Sequence, residues 1–400
     1  MQKPDGETAA KPRAFVLAPE SPYPTRGGGA LRTASLLEYL ARRYAIDAAV
    51  FHVVGSPLPG FPASAAVRVE GVPLPLHTRT WPARAARNAR RLLHGVPPLA
   101  DRFGGCGARL AAILGGGCYE LGLVEHFWCA PYLPLLERHC ARLFLDLHNV
   151  ESELHLTKAG AAPWPVSAML RRFAGAYRRL EQDLLPRFAG ILVTSPEDAA
   201  RVRRIAPAAR VFVYPNALPE TPPPRIPPAH CIVFSGNLEY MPNADAVRYF
   251  RASIWTRLRD RFPDLEWRLV GMNPHAVARD TAGDPRIRLT GPVEDAVAAL
   301  AEARVCVVPL RSGSGTRFKI LEAWAAGRPV VSTSLGAEGL GARDGEHLRI
   351  ADTPADFAAA VAGLLDSPEE AARLGANGRA LLLERFTWPR AWETLAAAGL

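Results

Sequence analysis

The sequence predicts an α/β protein of two Rossmann-like, doubly wound domains facing a cleft, with a C-terminal helix crossing the domain junction. Three observations carry this. Short continuous apolar runs recur along the chain, as strands covered on both faces of a parallel sheet require. Amphipathic helical patterns lie between them, the βαβ alternation. A stretch with six prolines, "NALPETPPPRIPPAH" (216–230), then interrupts the alternation before it restarts. Four hundred residues also exceed what one hydrophobic core usually serves.

The first array, 13–216, holds "RAFVLAP" (13–19), "IDAAVFHVV" (46–54), "LGLVEHF" (121–127), "RLFLDLH" (142–148), "GILVTS" (190–195) and "RVFVYPN" (210–216) as strands. "ALRTASLLEYLARRY" (30–44) and "AYRRLEQDLLPRF" (176–188) read as helices between them. Proline has no N–H to give a ladder, so residues 217–230 read as a stiff linker. In the second array, 231–380, the strands are "CIVFSG" (231–236), "EWRLVG" (266–271), "RIRLTG" (286–291), "RVCVVPL" (304–310) and "RPVVSTS" (328–334). Its helices are expected over 243–262, 295–303 and 316–327. The end, 381–400, reads as helical with an interruption at Pro389; Phe386, Trp388 and Trp392 need burial there, so it should pack back on the first domain.

The N-terminal residues 1–12 are polar and read as a disordered tail, without the apolar core of a secretion signal. No run reaches the roughly 18 apolar residues of a membrane-spanning helix. An intracellular, cytoplasmic setting is therefore expected, in which the six cysteines are reduced thiols. His126 with Cys129 and His139 with Cys140 lack a second matching pair, so no metal site is expected from them. The net charge of +9 is carried almost wholly by arginine, which suits an anionic substrate or surface. No aromatic-rich basic module points to nucleic acid.

In open parallel sheets, ligands bind beyond the carboxyl ends of the strands. Three loops there stand out. Gly27-Gly28-Gly29 follows a strand and opens a helix, where glycines admit a phosphate or sugar to the backbone. It is not a dinucleotide fingerprint, because Arg32 stands where the third glycine belongs. Gly313-Ser314-Gly315-Thr316 likewise joins a strand to a helix, beside Arg317 and Lys319; its amides suit a diphosphate. Glu322 shares a helix face with Phe318, and a carboxylate at a cleft mouth can accept two ribose hydroxyls. The third loop is "DLHNVES", with His148 at a strand end beside Asn149 and Glu151.

The chain resembles the family-4 glycosyltransferases of the GT-B fold over about residues 13–395, and within them a bacterial subgroup of polysaccharide and exosortase-linked sugar transferases. "SPYPTRGGGALR", "DLHNVESEL", "FSGNLEYMPNADAVRYF" and "VPLRSGSGTRFKILEAWAAGRPVVSTSLGAEGL" carry the resemblance. It implies transfer of a hexosyl group from a nucleotide-diphosphate-sugar donor to an acceptor hydroxyl, with retention of configuration and without a metal or other cofactor. It implies that His148, Arg317 and Lys319 serve the chemistry. Gly27, Gly28, Gly29, Gly236, Asn237, Val293, Gly313, Ser314, Gly315, Thr316 and Glu322 would bind the donor. His126, Asn149 and Glu151 would lie on the sugar or acceptor side. Many members carry two glutamates separated by seven residues; here Glu322 is the second, and Ser314 stands at the first. "GNLEYMPN" also replaces the basic residues usual after the first strand of the second domain. No D-x-D motif follows a strand, which agrees with metal independence.

Two segments, "HTRTWPARAARNARRLLHGVPPL" (77–99) and "MLRRFAGAYRRL" (169–180), are basic and amphipathic. Such helices rest on anionic lipid or simply face solvent. A lipid-linked acceptor would make peripheral contact with the inner face of the cytoplasmic membrane useful. Two rival readings stay open. One is a non-catalytic binding or assembly protein, favoured by Ser314; the other is a nucleotide-sugar epimerase.

Overall fold

The computed structural model describes residues 11–400 apart from Arg26, Pro59, Ala66, Val67, Arg79 and residues 314–316. Most of the proposed tail, and Ser314, Gly315 and Thr316, therefore lie outside the described residues.

Two parallel sheets organise the chain. The first joins β1 (Arg13–Ala18), β2 (Ala45–Val53), β3 (Arg68–Leu74), β4 (Tyr119–Glu125), β5 (Cys140–Leu147), β6 (Gly190–Val193) and β7 (Val211–Val213) in the order β3-β2-β1-β4-β5-β6-β7. The second joins β8 (Cys231–Ser235), β9 (Glu266–Val270), β10 (Ile287–Gly291), β11 (Val305–Val308), β12 (Val330–Ser332) and β13 (Arg349–Ile350) in the order β10-β9-β8-β11-β12-β13. Both orders reverse direction after the first strand, between β1 and β4 and between β8 and β11. These are the switch points at which doubly wound sheets hold ligands. The helices that bear on function are α1 (Gly28–Ala41), α2 (Trp81–His94), α3 (Glu151–Ala161), α4 (Val166–Leu184), α5 (Pro196–Ile205), α6 (Met241–Phe250), α7 (Phe318–Ala325), α8 (Pro368–Arg385) and α9 (Trp388–Ala398).

The strands are apolar on both faces for a visible reason. On β1, Phe15 and Leu17 enter one core, and Ala14, Val16 and Ala18 enter another on the opposite face. Trp388, Ala391, Leu395 and Leu400 belong to that second core, with Leu36, Leu37 and Leu40 of α1. The C-terminal helix is therefore part of the first sheet's covering layer. Trp392 fixes it by donating its indole N–H to Ser35 at 2.9 Å.

Several expectations need correction. The edge strands β3 and β13 were not expected: β3 carries Gly71 and Pro73, and β13 is only two residues long. Glycine and proline at a sheet edge dilute the apolar signal without preventing pairing. The helix expected over 243–262 is interrupted by a π-helical stretch at Arg251–Trp255. The helix expected from 316 begins at Phe318, with Arg317 at its N-cap. The terminal break falls at Phe386–Thr387, not at Pro389. Pro389 sits in the first turn of α9, where its missing N–H costs nothing.

Candidate active site between the two sheets

Residues from five strand ends meet at and beside the paired switch points. On the first domain they are the Gly27–Gly29 turn after β1, Glu125 and His126 at the end of β4, and Asp146 and His148 at the end of β5. On the second they are Gly236 after β8, and Gly313 and Arg317 after β11.

The first-domain half is built on a buried charge network. Glu125 and Asp146 are register partners on neighbouring parallel strands, so their carboxylates reach the same side. Two buried carboxylates side by side are costly unless cations answer them. Arg32 is one answer: it is fully buried, its Nε lies 2.8 Å from Asp146 Oδ2, and its Nη1 lies 2.6 Å from the Tyr214 carbonyl oxygen. His148 is the other, with Nε2 3.0 Å from Glu125 Oε2 and 3.1 Å from Asp146 Oδ2. Thr33 also donates its hydroxyl to Glu125. Burial works against a charge on His148, but Asp146 and Glu125 outweigh it and raise its pKa to about 9. At neutral pH it is thus an imidazolium, and the network holds two negative and two positive groups when Glu125 is ionised. Burial, then Asp146, push the Glu125 carboxyl above its usual range. Burial does the same to Asp146, but Arg32 and then His148 prevail and hold that carboxyl low.

The outward edge of His148 is defined by the same contacts. Nε2 is committed to the carboxylates, while Cε1 and Nδ1 face Gly29, 3.9 Å from where a Cβ there would stand. The His148 ring stacks on His126 at 3.7 Å between centroids, and His126 stacks on Trp128 at 4.3 Å. Burial, then the charge on His148, lower the His126 pKa well below its ordinary value, so a neutral ring backs a charged one. His126 takes a left-handed backbone conformation (φ 62°) to turn its ring there. Glu151, in the first turn of α3, is buried and accepts the Trp128 indole N–H at 2.8 Å. That bond ties α3 to the ring stack. Burial raises its carboxyl to about 7.

On the second domain, Lys319 donates to Asn243 Oδ1 at 2.7 Å and lies 4.1 Å from the Phe234 ring centroid. Gly236 (φ 143°) adopts a conformation open to glycine, and a Cβ there would lie 3.2 Å from the Lys319 ammonium. The ammonium thus stands directly against the Gly236 backbone. Burial and the neighbouring Arg317 lower the Lys319 pKa to about 7, against the pull of Glu322. Burial raises Glu322 to about 7, opposed by Lys319. The Arg317 guanidinium folds over Gly313, within 3.2 Å of where a Cβ would stand. The loops after β8, β9 and β10 are laced together: Gly236 N–H donates to Val270, Leu238 to Met272 and Gly271 to Gly291. Asn237 accepts from the Asn273 side chain at 3.0 Å. Val293 lies exposed in the loop after β10.

The two domains touch around this site. A Cβ on Gly28 would fall 2.0 Å from Phe318 Cδ2, so the first helix of one domain and α7 of the other meet there. Arg201 of α5 bonds Glu338 of the second domain at 2.5 Å, and Gly339 abuts Ser195.

The structure therefore brings together Gly27, Gly28, Gly29 and His148 with His126 on one side, and Gly236, Asn237, Gly313, Arg317, Lys319 and Glu322 on the other. Asn149 lies half-buried between His148 and α3. Sequence reading missed Arg32, Glu125, Asp146 and Asn243. A signal existed: a charged residue closing an apolar strand run, as in "LGLVE" and "RLFLD", must have a buried partner. It also missed that Glu125, Asp146 and His148 carry ligand-type atoms within 4.8 Å of one another. Their bonds to Arg32, Thr33 and each other make that cluster a charge-balanced ion-pair network.

Comparison with known proteins defines the class from the fold first. A sucrose-phosphate synthase from Thermosynechococcus elongatus superposes with a TM-score of 0.71 at 18% identity, over 96% of this chain and 98% of that one. Anabaena Alr3699/HepE in complex with UDP and glucose gives 0.63 at 14% identity, over 96% and 98%. The chain has the two-domain GT-B fold. Residues 229–367, in the second half of the chain, match the family described as Glycosyl transferases group 1. A phosphatidyl-myo-inositol mannosyltransferase of Mycolicibacterium smegmatis is 32% identical over 158 residues, 36% of this chain and 40% of that protein. An MMP alpha-(1->4)-mannosyltransferase of Mycolicibacterium hassiacum is 42% identical over 100 residues, 24% of each. The matched region spans about two fifths or less of these curated relatives.

Proposed function

We propose that the protein is a glycosyltransferase that moves a hexosyl group from a nucleotide-diphosphate sugar to an acceptor hydroxyl, with retention and without a metal. The observation that carries this reading is the convergence, at both switch points, of cationic groups and glycine backbone: Lys319 and Arg317 on one side, His148 and Gly27–Gly29 on the other. A leaving diphosphate carries developing negative charge, and preorganised cations in a shielded site stabilise it. Lys319 against Gly236 and Arg317 over Gly313 are suited to the phosphates. Glu322 would accept the ribose hydroxyls when ionised. His148, fixed as an imidazolium by two carboxylates, is a hydrogen-bond donor near the reacting sugar and not a base. Asn237 would flank the phosphates and Val293 the base.

The named relatives are mannosyltransferases, and one structural neighbour holds UDP and glucose. A nucleotide-sugar donor and a saccharide or lipid-linked acceptor are therefore proposed here, in bacterial polysaccharide or glycoconjugate synthesis, on the cytoplasmic side. No helix among the described residues is long and apolar enough to cross a membrane. A thermal-shift screen of nucleoside diphosphates and nucleotide sugars tests donor binding. At least one is expected to raise Tm with EDTA present, and the shift should vanish in Lys319→Ala. Absence of any shift, or one that requires Mn²⁺, would overturn the reading.

A further inference from the structure

Among the described residues, two that are not glycine have a positive φ, His126 and Asn273. Asn273, at φ 57° and ψ 49°, sits in the ordinary left-handed basin. His126 does not: its φ of 62° goes with a ψ of 142°. For a residue with a Cβ that combination is strained, and it persists only where the surroundings fix it. The strain turns the chain where β4 ends and sets the imidazole among other rings. His148 lies 3.7 Å away between centroids, at 29° between planes, and Trp128 lies 4.3 Å away at 11°. Two rings that lie flat on a third at such distances must occupy its opposite faces. Trp128 is flanked in turn by Phe103 at 5.7 Å and 10°, and its indole N–H is tied to Glu151. Phe103, the last residue of the short helix Pro98–Phe103, is buried and meets Phe51 of β2 edge-on at 5.3 Å. A row of four rings thus runs from the end of β5 into the body of the first domain.

This row has two consequences. Both faces of His126 are covered, so a sugar could meet only its edge, and stacking on a sugar ring is closed to it. His148, for its part, is anchored at Nε2 by Glu125 and Asp146. A ring anchored at one atom can still tilt about it. A flat neighbour on its face removes that tilt, and a neutral one does so without opposing the charge on His148.

We propose that His126 is a positioning residue, held in its strained conformation by the Trp128–Phe103 stack, which keeps the Cε1–Nδ1 edge of His148 aimed at the Gly27–Gly29 turn. The benefit to sugar transfer rests on the proposed activity, but the fixing of the ring does not.

The test compares His126→Gly, which suits the positive φ but removes the ring, with His126→Phe, which keeps a flat ring without nitrogens. Long-range ¹H–¹⁵N spectra of the histidine rings at pH 7 read His148 directly. The wild type should give one sharp set of signals from a doubly protonated His148 ring. His126→Gly should broaden or split that set, and His126→Phe should restore it. In a transfer assay with the nucleotide sugar of largest thermal shift, kcat should fall about tenfold or more in His126→Gly. Most of that loss should return in His126→Phe, while donor KM and the nucleotide-dependent thermal shift stay unchanged in both. Should His126→Gly fail to fold, Trp128→Leu removes the outer ring and is expected to broaden the same signals. Sharp, unshifted His148 signals in the variant that folds would overturn the proposal. So would equal kcat losses in His126→Gly and His126→Phe, since the nitrogens of His126 would then be needed at the substrate. A wild type without turnover would count against the proposed activity alone, and the spectra would still decide the positioning.

Discussion

At the scale of single residues, the candidate site is governed by a few buried charges. The folded pKa of His148 is raised to about 9, above its ordinary 6.5. Its contribution to stability is then fully present below pH 6.5 and is lost as pH rises through 9. The full difference is on the order of 3 kcal/mol. Asp146→Asn removes the strongest cause, so urea unfolding of that variant should lose stability less steeply between pH 6.5 and 9. An unchanged slope would mean that Asp146 does not hold the proton on His148. Lys319 gives a second residue-level expectation. Its pKa of about 7 must rise when an anion binds beside it. Calorimetry at pH 8 in buffers of different ionisation enthalpy should show proton uptake on nucleoside diphosphate binding, absent in Lys319→Met. Glu322 also titrates near 7, and hydrogen bonds from the proposed ribose hydroxyls would favour its ionised form and release protons, so uptake reports on Lys319.

At the scale of elements, glycine at 28 reflects the docking of α1 against α7. Phe318 occupies the space a side chain would need. Gly28→Ala is expected to cost about 1–3 kcal/mol by overpacking. In a Phe318→Ala background most of that cost should disappear, and a double-mutant cycle on Tm or urea midpoint reads the coupling. Additive losses would show that the two residues do not meet. Elements with a strong apolar pattern were legible from the sequence: β1, β2, β4, β5, β8 and β11 follow near-continuous apolar runs, and β9 alternates Trp267 and Leu269 with Glu266 and Arg268. β3 was not legible, because Gly71 and Pro73 break its run while its neighbour β2 supplies the pairing. The candidate site was legible where glycine or histidine marks a strand end, at Gly27–Gly29, Gly236, Gly313 and His148. It was not legible at Arg32, whose burial depends on Asp146, 114 residues away. A partner at that separation leaves no local pattern.

At the scale of the whole molecule, two connections tie the halves together. The C-terminal helix α9 reaches back to complete the core beneath α1, with Leu395 fully buried. Leu395→Ala should therefore cost about 2–5 kcal/mol, as in a central core, although it lies in the last helix. A loss below 0.5 kcal/mol in urea unfolding would show that α9 does not complete that core. The second connection is the cleft itself, closed by Phe318 on one side and by Arg201 with Glu338 on the other. The proposed activity needs both halves, because Lys319 and Arg317, proposed for the diphosphate, and His148 come from different domains. The most direct measurement is a transfer assay with the nucleotide sugar that gives the largest thermal shift, followed by NMR of the product in the presence of EDTA. The expected result is a glycoside with the donor's anomeric configuration and one equivalent of nucleoside diphosphate, lost in both His148→Ala and Lys319→Ala. A free epimerised sugar, an inverted linkage, or no turnover without Mn²⁺ would contradict it.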